Sequence, residues 1–231
     1  MQLRDKTQFG ENENFRVNLE RQSERLRSVG KELYHRMDLD IGCRVFPAIA
    51  EATAGQLDLL GRFFEEPIEI TANICRSIFE INIVFRYSLS STQHLDDFAA
   101  QIGSDEISIY KSLKKLADDK TDPNNIKVID AHIEQIRNTM RKHGKSLKPD
   151  RPSLSQMAKE VGVEKEYEIF YGIYSKYVHA SAWFVLRKRE HIDLPMYRTP
   201  MQLRAQLYAG DTCKRLEDLR DKTEPSMGAD A

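Results

Sequence analysis

One stretch limits the folds open to this chain. From Ile68 to Tyr87 apolar side chains recur on every side of a helix, yet the run carries Arg76 and Glu80 one helical turn apart. A helix that is apolar all round belongs in the middle of a bundle. A charge carried there needs a partner, because stranding one ion of a buried pair costs roughly 3–5 kcal/mol. A second stretch, Tyr167 to Arg189, offers partners: Tyr171, Ser175 and His179 recur at every fourth position, which is one face of a helix. Asn73 and Ser77 lie on the same side as Arg76 and can add hydrogen bonds.

The remaining segments supply the rest of a bundle. Phe15, Leu19, Leu26, Val29 and Leu33 are spaced as the apolar stripe of an amphipathic helix over 14–37, whose charged composition places it at the periphery. Phe46, Ile49, Ala50, Leu57, Leu60 and Phe64 mark a second helix over 45–64, broken before Pro67, which suits the first turn of the central helix. Ser90, Ser91 and Thr92 offer cap chemistry before a short segment over 94–102, and Ser104 reads as the N-cap of a further helix to Leu116. Asp122 and Pro123 open a helix that stops at Gly144. Ser153 and Gln156 fit a capping box for a short helix ended by Gly162. Thr199, Pro200 and Gln202 combine a cap, an N1 proline and an N3 glutamine, opening a last helix to about Arg220.

No segment alternates with period two, and no Asn-Gly or Asp-Gly hairpin turn occurs, so the expected fold is an all-α multi-helix bundle without a sheet. A single helical domain is expected over 13–221, after a flexible N-terminus (1–12) and before a disordered tail (222–231). The opening residues lack the apolar core of a signal peptide, and no uncharged apolar run reaches membrane-spanning length. Cys43, Cys75 and Cys213 are far apart, without CxxC spacing or neighbouring histidine, so neither a disulfide framework nor a zinc site is expected and a reducing cytoplasm fits. A net charge of −1 steers no polyanion, which leaves nucleic-acid affinity to local basic patches.

The chemistry-bearing residues converge on the two central stretches. Arginine holds anions, a carboxylate can orient it, and histidine is the side-chain type that exchanges protons near neutrality. That makes Arg76, Glu80 and His179 candidate catalytic residues, with Ser175 placed to hydrogen-bond a substrate oxygen. A buried network that fixes helix register is the other reading of the same residues. A serine hydrolase is not expected, since a serine nucleophile needs a base and an oxyanion hole and no GxSxG elbow occurs. The absence of a Walker loop, a dinucleotide fingerprint and HExxH removes support for nucleotide hydrolysis, NAD chemistry and zinc proteolysis, so no cofactor is expected. LSQMAKEVGV has the Ala-x3-Gly spacing of a helix-turn-helix, but the helix after it begins acidic and turns aromatic, so DNA recognition is not expected.

Two family resemblances follow from these residues. Arg76-Ser-Ile-Phe-Glu80 on an apolar helix, followed by LSQMAKEVGVEKEYEIFYGIYSKYVHAS with Tyr-x3-Ser-x3-His, resembles an uncharacterised bacterial family, domain of unknown function 5677. That resemblance covers about Ile68 to Trp183 and implies an all-helical fold that gathers Arg, Glu, Ser and His, without an established activity. Separately, Arg137, Asn138 and His143 in RNTMRKH have the Arg-[Asn/Asp/His]-x4-His form of HEPN-type ribonucleases, helical proteins of toxin and defence systems. That likeness implies metal-independent attack on RNA phosphodiesters by Arg137 and His143 across a homodimer. It departs from the HEPN pattern in that the late core helix here carries Ser175 and His179 with no arginine ahead of the histidine. Arg141, Lys142, Lys145 and Lys148 extend the motif as candidate RNA-binding cations; as a helix-end run they also suit the C-terminal dipole. The resulting expectation is a cytoplasmic helical protein, a candidate metal-independent ribonuclease of a defence or toxin system. The alternative is a non-catalytic interaction or ligand-binding module.

Overall fold

The computed structural model describes residues 12–36, 42–117 and 122–223. Among these residues the secondary structure is helical, without a strand. The helices are α1 (Asn12–Arg36), α2 (Gly42–Phe63), α3 (Ile68–Ser90), α4 (Thr92–Lys114), α5 (Pro123–Lys142), α6 (Leu154–Glu160), α7 (Glu164–Val178), α8 (Ala182–Leu186) and α9 (Pro195–Lys222), with a 3₁₀ turn at Arg189–His191. The expected flexible N-terminus and disordered tail fall mainly on 1–11 and 224–231, outside the described residues. No helix is long and apolar enough to cross a membrane among the described residues. The helices cluster into two compact units, one formed by 1–87 with 154–231 and the other by 88–153.

In the first unit the apolar stripes predict burial well. Leu19, Leu26 and Leu33 of α1 are essentially inaccessible, so α1 is a core element rather than the peripheral helix its charge suggested. Its charged positions face outward and pair across helices, as Arg25 does with Glu217 of α9 and Arg27 with Asp58 of α2. Gly30 lets α1 approach α2 closely: a Cβ there would lie 2.9 Å from the Ala50 Cβ. Pro67 precedes α3, and the first free N–H of the helix, at Ile68, is accepted by the distant Asp193 carboxylate at 3.2 Å. Arg198 binds the other Asp193 oxygen and also donates to the Phe64 and Glu66 carbonyls, clamping the α2–α3 turn.

Local cap signals are obeyed at some ends and overridden at others. Asp122 caps α5 by accepting from the Asn124 N–H, with Pro123 at N1. Gly144 and Gly162 follow α5 and α6 with φ of 62° and 75°, the left-handed conformation that glycine adopts freely. Ser104 does not start a helix. Its hydroxyl donates back to the Gln101 carbonyl within α4, which runs unbroken from Thr92 to Lys114. Thr199 and Pro200 are likewise inside α9, whose N1 proline is Pro195. Pro200 withholds a hydrogen bond from the Met196 carbonyl near the start of the helix, at a residue that is 66% exposed.

The second unit is built on α4 and α5, which bury Ala100, Ile107, Ile133 and Met140 against one another, with Tyr110, Ile129 and Ile136 at the margin. Gly103 sits under the Met140 side chain.

Candidate active site on helices α3 and α7

Helix α3 is less uniformly apolar than its composition suggests. Ile78, Phe79 and Ile83 are fully buried, whereas Asn73, Arg76, Ser77 and Glu80 share a partly open face. Phe79 anchors the opposite helix: its ring lies 6.4 Å from Tyr167, 6.2 Å from Tyr174 and 4.6 Å from Tyr208 of α9. This packing sets α7 beside the Arg76 face.

Three side chains converge on the Arg76 guanidinium. Nε donates to Glu80 Oε1 at 2.7 Å, Nη2 donates to the Tyr171 hydroxyl at 3.0 Å, and Nη1 lies 3.3 Å from His179 Nε2. A guanidinium only donates, so in this contact Nε2 is the acceptor and the ring N–H falls to Nδ1. The guanidinium carbon also lies 4.6 Å from the Tyr171 ring centroid, within cation–π range, and Tyr171 stacks on Tyr167 at 4.7 Å. Arg76 is largely shielded, with 16% of its side chain exposed against 34% for Glu80. Burial pushes the Arg76 pKa down, but the hydrogen bond and charge of Glu80 outweigh it, so the group sits above its ordinary value and stays cationic. Burial likewise raises the Tyr167 phenol, helped by Tyr171 and Glu80.

The helix carrying His179 ends sooner than the sequence spacing implied. α7 stops at Val178, and His179 is its C-cap, with extended backbone (φ −106°, ψ 154°) and its N–H still on the Ser175 carbonyl at 3.2 Å. The chain then turns, with the Ser181 hydroxyl capping α8 through the Phe184 N–H. The imidazole is therefore at an exposed helix end rather than on a continuous helix face, one edge resting on Arg76. Among the described residues the Ser175 hydroxyl makes no hydrogen bond, and the cluster consists of Arg76, Glu80, Tyr171 and His179. Asn73 lies exposed, and its carbonyl accepts from the Ser77 hydroxyl.

The second set of candidates lies on α5, in the other unit. Arg137 and Arg141 both bind Glu134, whose carboxylate they hold below its ordinary range, and Arg141 also bonds Asn138. His143 is the exposed C-cap of α5, and among the described residues no contact joins it to Arg137 or Asn138. Lys145 pairs with Asp96 and Arg151 with Asp105, leaving Lys142 and Lys148 as the exposed cations of the run without an ion-pair partner among the described residues. A shallow surface depression is lined by Glu134, Gln135, Asn138, Thr139 and Lys142. Among the described residues no three His, Cys, Asp or Glu side chains gather as a metal-ligand set.

Sequence reasoning missed a buried polar network in the same unit as Arg76. Asn82, 1% exposed, donates to the Tyr208 carbonyl, Asp211 and Thr212 of α9, tying α3 to that helix. An asparagine two residues beyond Glu80 in an otherwise apolar run was the available signal.

The fold and the cluster together define an all-α protein with an arginine–carboxylate–tyrosine–histidine group between two packed helices. The chain belongs to the family of unknown function DUF5677, whose model matches residues 62–192, more than half of its length. The matched segment contains the whole cluster, as well as α4 and α5. Comparison with curated proteins and with solved structures gives no match.

Proposed function

We propose that the cluster around Arg76 is an active site for metal-independent cleavage of RNA phosphodiesters, in a cytoplasmic protein of defence or toxin type. The observation that carries this reading is the His179 Nε2 contact with the Arg76 guanidinium at 3.3 Å, at an exposed helix end backed by Glu80. Three of the five N–H donors of the guanidinium are engaged, by Glu80, Tyr171 and His179, so two remain for phosphate oxygens. Glu80 fixes the guanidinium through Nε and Tyr171 supports its flat face, which gives Arg76 one orientation. The positive charge that steadies a phosphorane-like transition state then comes from Arg76, and no metal is needed for that role. In this scheme a 2′-oxygen bonds to phosphorus as the bond to the 5′-oxygen breaks. A bound phosphate draws Arg76 Nη1 away from His179 and frees the Nε2 lone pair to take the 2′-hydroxyl proton; the 5′-oxygen is protonated from solvent, and the Ser175 hydroxyl positions a substrate oxygen.

The HEPN-like set Arg137, Asn138 and His143 is the secondary candidate for the same chemistry, with RNA and a homodimer as its implied partners. Its support is weaker because Arg137 and Arg141 are both engaged by Glu134, and His143 touches neither Arg137 nor Asn138 among the described residues. The alternative, a non-catalytic interaction module, rests on the Arg76 contacts with Tyr171 and His179 acting as a strut between α3 and the end of α7, with Glu80 holding the guanidinium.

Single-stranded RNA incubated with the full chain and excess chelator tests the reading. Cleavage is expected, and His179→Ala should reduce it by about 10²–10⁴-fold, the usual contribution of a general acid–base group, without moving the thermal unfolding midpoint. Loss of cleavage in His143→Ala with His179→Ala unaffected would transfer the chemistry to α5. Unfolding of His179→Ala together with no RNA cleavage by the unsubstituted chain would favour the strut.

A further inference from the structure

Cleavage of an RNA phosphodiester calls for two proton groups. One takes the 2′-hydroxyl proton, and a second gives a proton to the 5′-oxygen as it departs, because an alkoxide is a poor leaving group. His179 fills the first role, which leaves the second to solvent unless the cluster holds a donor of its own. The entering and leaving oxygens stand roughly in line across phosphorus, so base and acid have to flank the phosphate.

The Arg76 contacts contain such a pair. His179 Nε2 lies 3.3 Å from Nη1 and the Tyr171 hydroxyl 3.0 Å from Nη2, so the two groups meet different terminal nitrogens of one guanidinium. Glu80, the third partner, accepts from Nε at 2.7 Å and as a carboxylate has no proton to give. Tyr171 has one. A guanidinium only donates, so the phenol oxygen is the acceptor in its contact with Nη2, and its own O–H is left to donate elsewhere. Tyr167, stacked on Tyr171 at 4.7 Å, is a second donor to that oxygen. Burial raises the Tyr167 phenol, the neighbouring Tyr171 oxygen and Glu80 raise it further, and the hydrogen bond with Tyr171 adds to the rise, as it does where Tyr167 donates. Two donors thus face the Tyr171 oxygen, one of them cationic. That setting stabilises the charge left on the oxygen when its proton goes.

We infer that Tyr171 is the general acid of the reaction, protonating the departing 5′-oxygen in place of solvent. The inference rests on the reading of the Arg76 cluster as an RNA-cleaving site and adds a catalytic residue to it. The 2′-oxygen bonds to phosphorus while the bond from phosphorus to the 5′-oxygen breaks. The 2′-hydroxyl proton goes to His179 Nε2, the Tyr171 proton goes to the 5′-oxygen, and exchange with water returns both side chains to their starting forms. The products are a 2′,3′-cyclic phosphate and a 5′-hydroxyl.

Two RNA substrates of one sequence separate this role from a structural one. The first has the natural 5′-oxygen at the scissile bond, and the second has sulfur in its place. A thiol is far more acidic than an alcohol, so the sulfur leaves as a thiolate without needing a proton. Tyr171→Phe keeps the ring on which the Arg76 guanidinium rests. It should cleave the natural substrate about 10²–10⁴-fold more slowly and the sulfur substrate as fast as the unsubstituted chain does. His179→Ala should slow both. Equal slowing of the two substrates by Tyr171→Phe, through lost folding or a displaced Arg76, would overturn the inference, and so would natural cleavage that the substitution leaves unchanged. In both cases cleavage by the unsubstituted chain keeps the reading of the site intact. If the unsubstituted chain cleaves neither substrate, that reading fails and the inference falls with it.

Discussion

Tyr174 offers a sharp test of how the candidate site is held. Its side chain is fully buried on the face of α7 that meets Phe79, with ring centroids 6.2 Å from Phe79 and 6.3 Å from Phe170. Its hydroxyl is inaccessible and has no hydrogen-bond partner among the described residues. Burial drives the phenol pKa well above its ordinary value, outweighing the opposing charge of Arg204. An unsatisfied buried hydroxyl costs about 1–3 kcal/mol, so Tyr174→Phe, which keeps the ring and deletes the oxygen, should stabilise the protein by about 1–2 kcal/mol after the small loss of dispersion contacts. Urea unfolding followed by circular dichroism measures this as a higher midpoint at unchanged slope. A variant less stable than the parent would refute the reasoning. It would mean that the hydroxyl is satisfied by an ordered water and that the α3–α7 seam is wetter than its packing implies. Because Tyr174 is not among the Arg76 contacts, the RNA cleavage proposed for that site should be the same in both proteins.

Other substitutions address the frame around the site. Gly30→Ala should lower stability by about 1–3 kcal/mol although alanine favours helix, because the new Cβ meets the Ala50 Cβ at 2.9 Å and α1 must move from α2; thermal melts would show it. Asn82→Ala should cost about 1–3 kcal/mol by leaving Asp211 and Thr212 without their shared donor, and equal stability in urea would show the network to be dispensable. At Asp58, burial raises the carboxyl pKa, but hydrogen bonds from Arg27 and Ser23 outweigh it and the net value lies below the ordinary one. A lowered folded pKa means that this contribution is complete above the ordinary carboxylate pKa and disappears as pH falls through the folded value. Asp58→Asn should therefore flatten the acid side of the stability profile and leave the alkaline side unchanged; an unaltered acid limb would contradict the assignment.

The comparison of sequence with structure turns on how far each signal reaches. Helix class, the buried stripes of α1 and α2, the Asp122–Pro123 start and the glycine ends at Gly144 and Gly162 were legible because each rests on neighbours within a turn or two. The meeting of Arg76 with residues near the end of α7 was also foreseeable, since a cation in an apolar run demands company. Where two local signals competed, packing chose between them: Ser104 bonded backwards inside a continuous α4, and α9 started at Pro195 instead of Thr199. Tertiary structure alone set Asp193 over the start of α3, moved His179 off the helix and onto its cap, and gave Ser175 no part in the Arg76 contacts. These outcomes join residues roughly a hundred positions apart. Chain composition specified which groups had to be satisfied, and only the packed helices decided which partners could reach them.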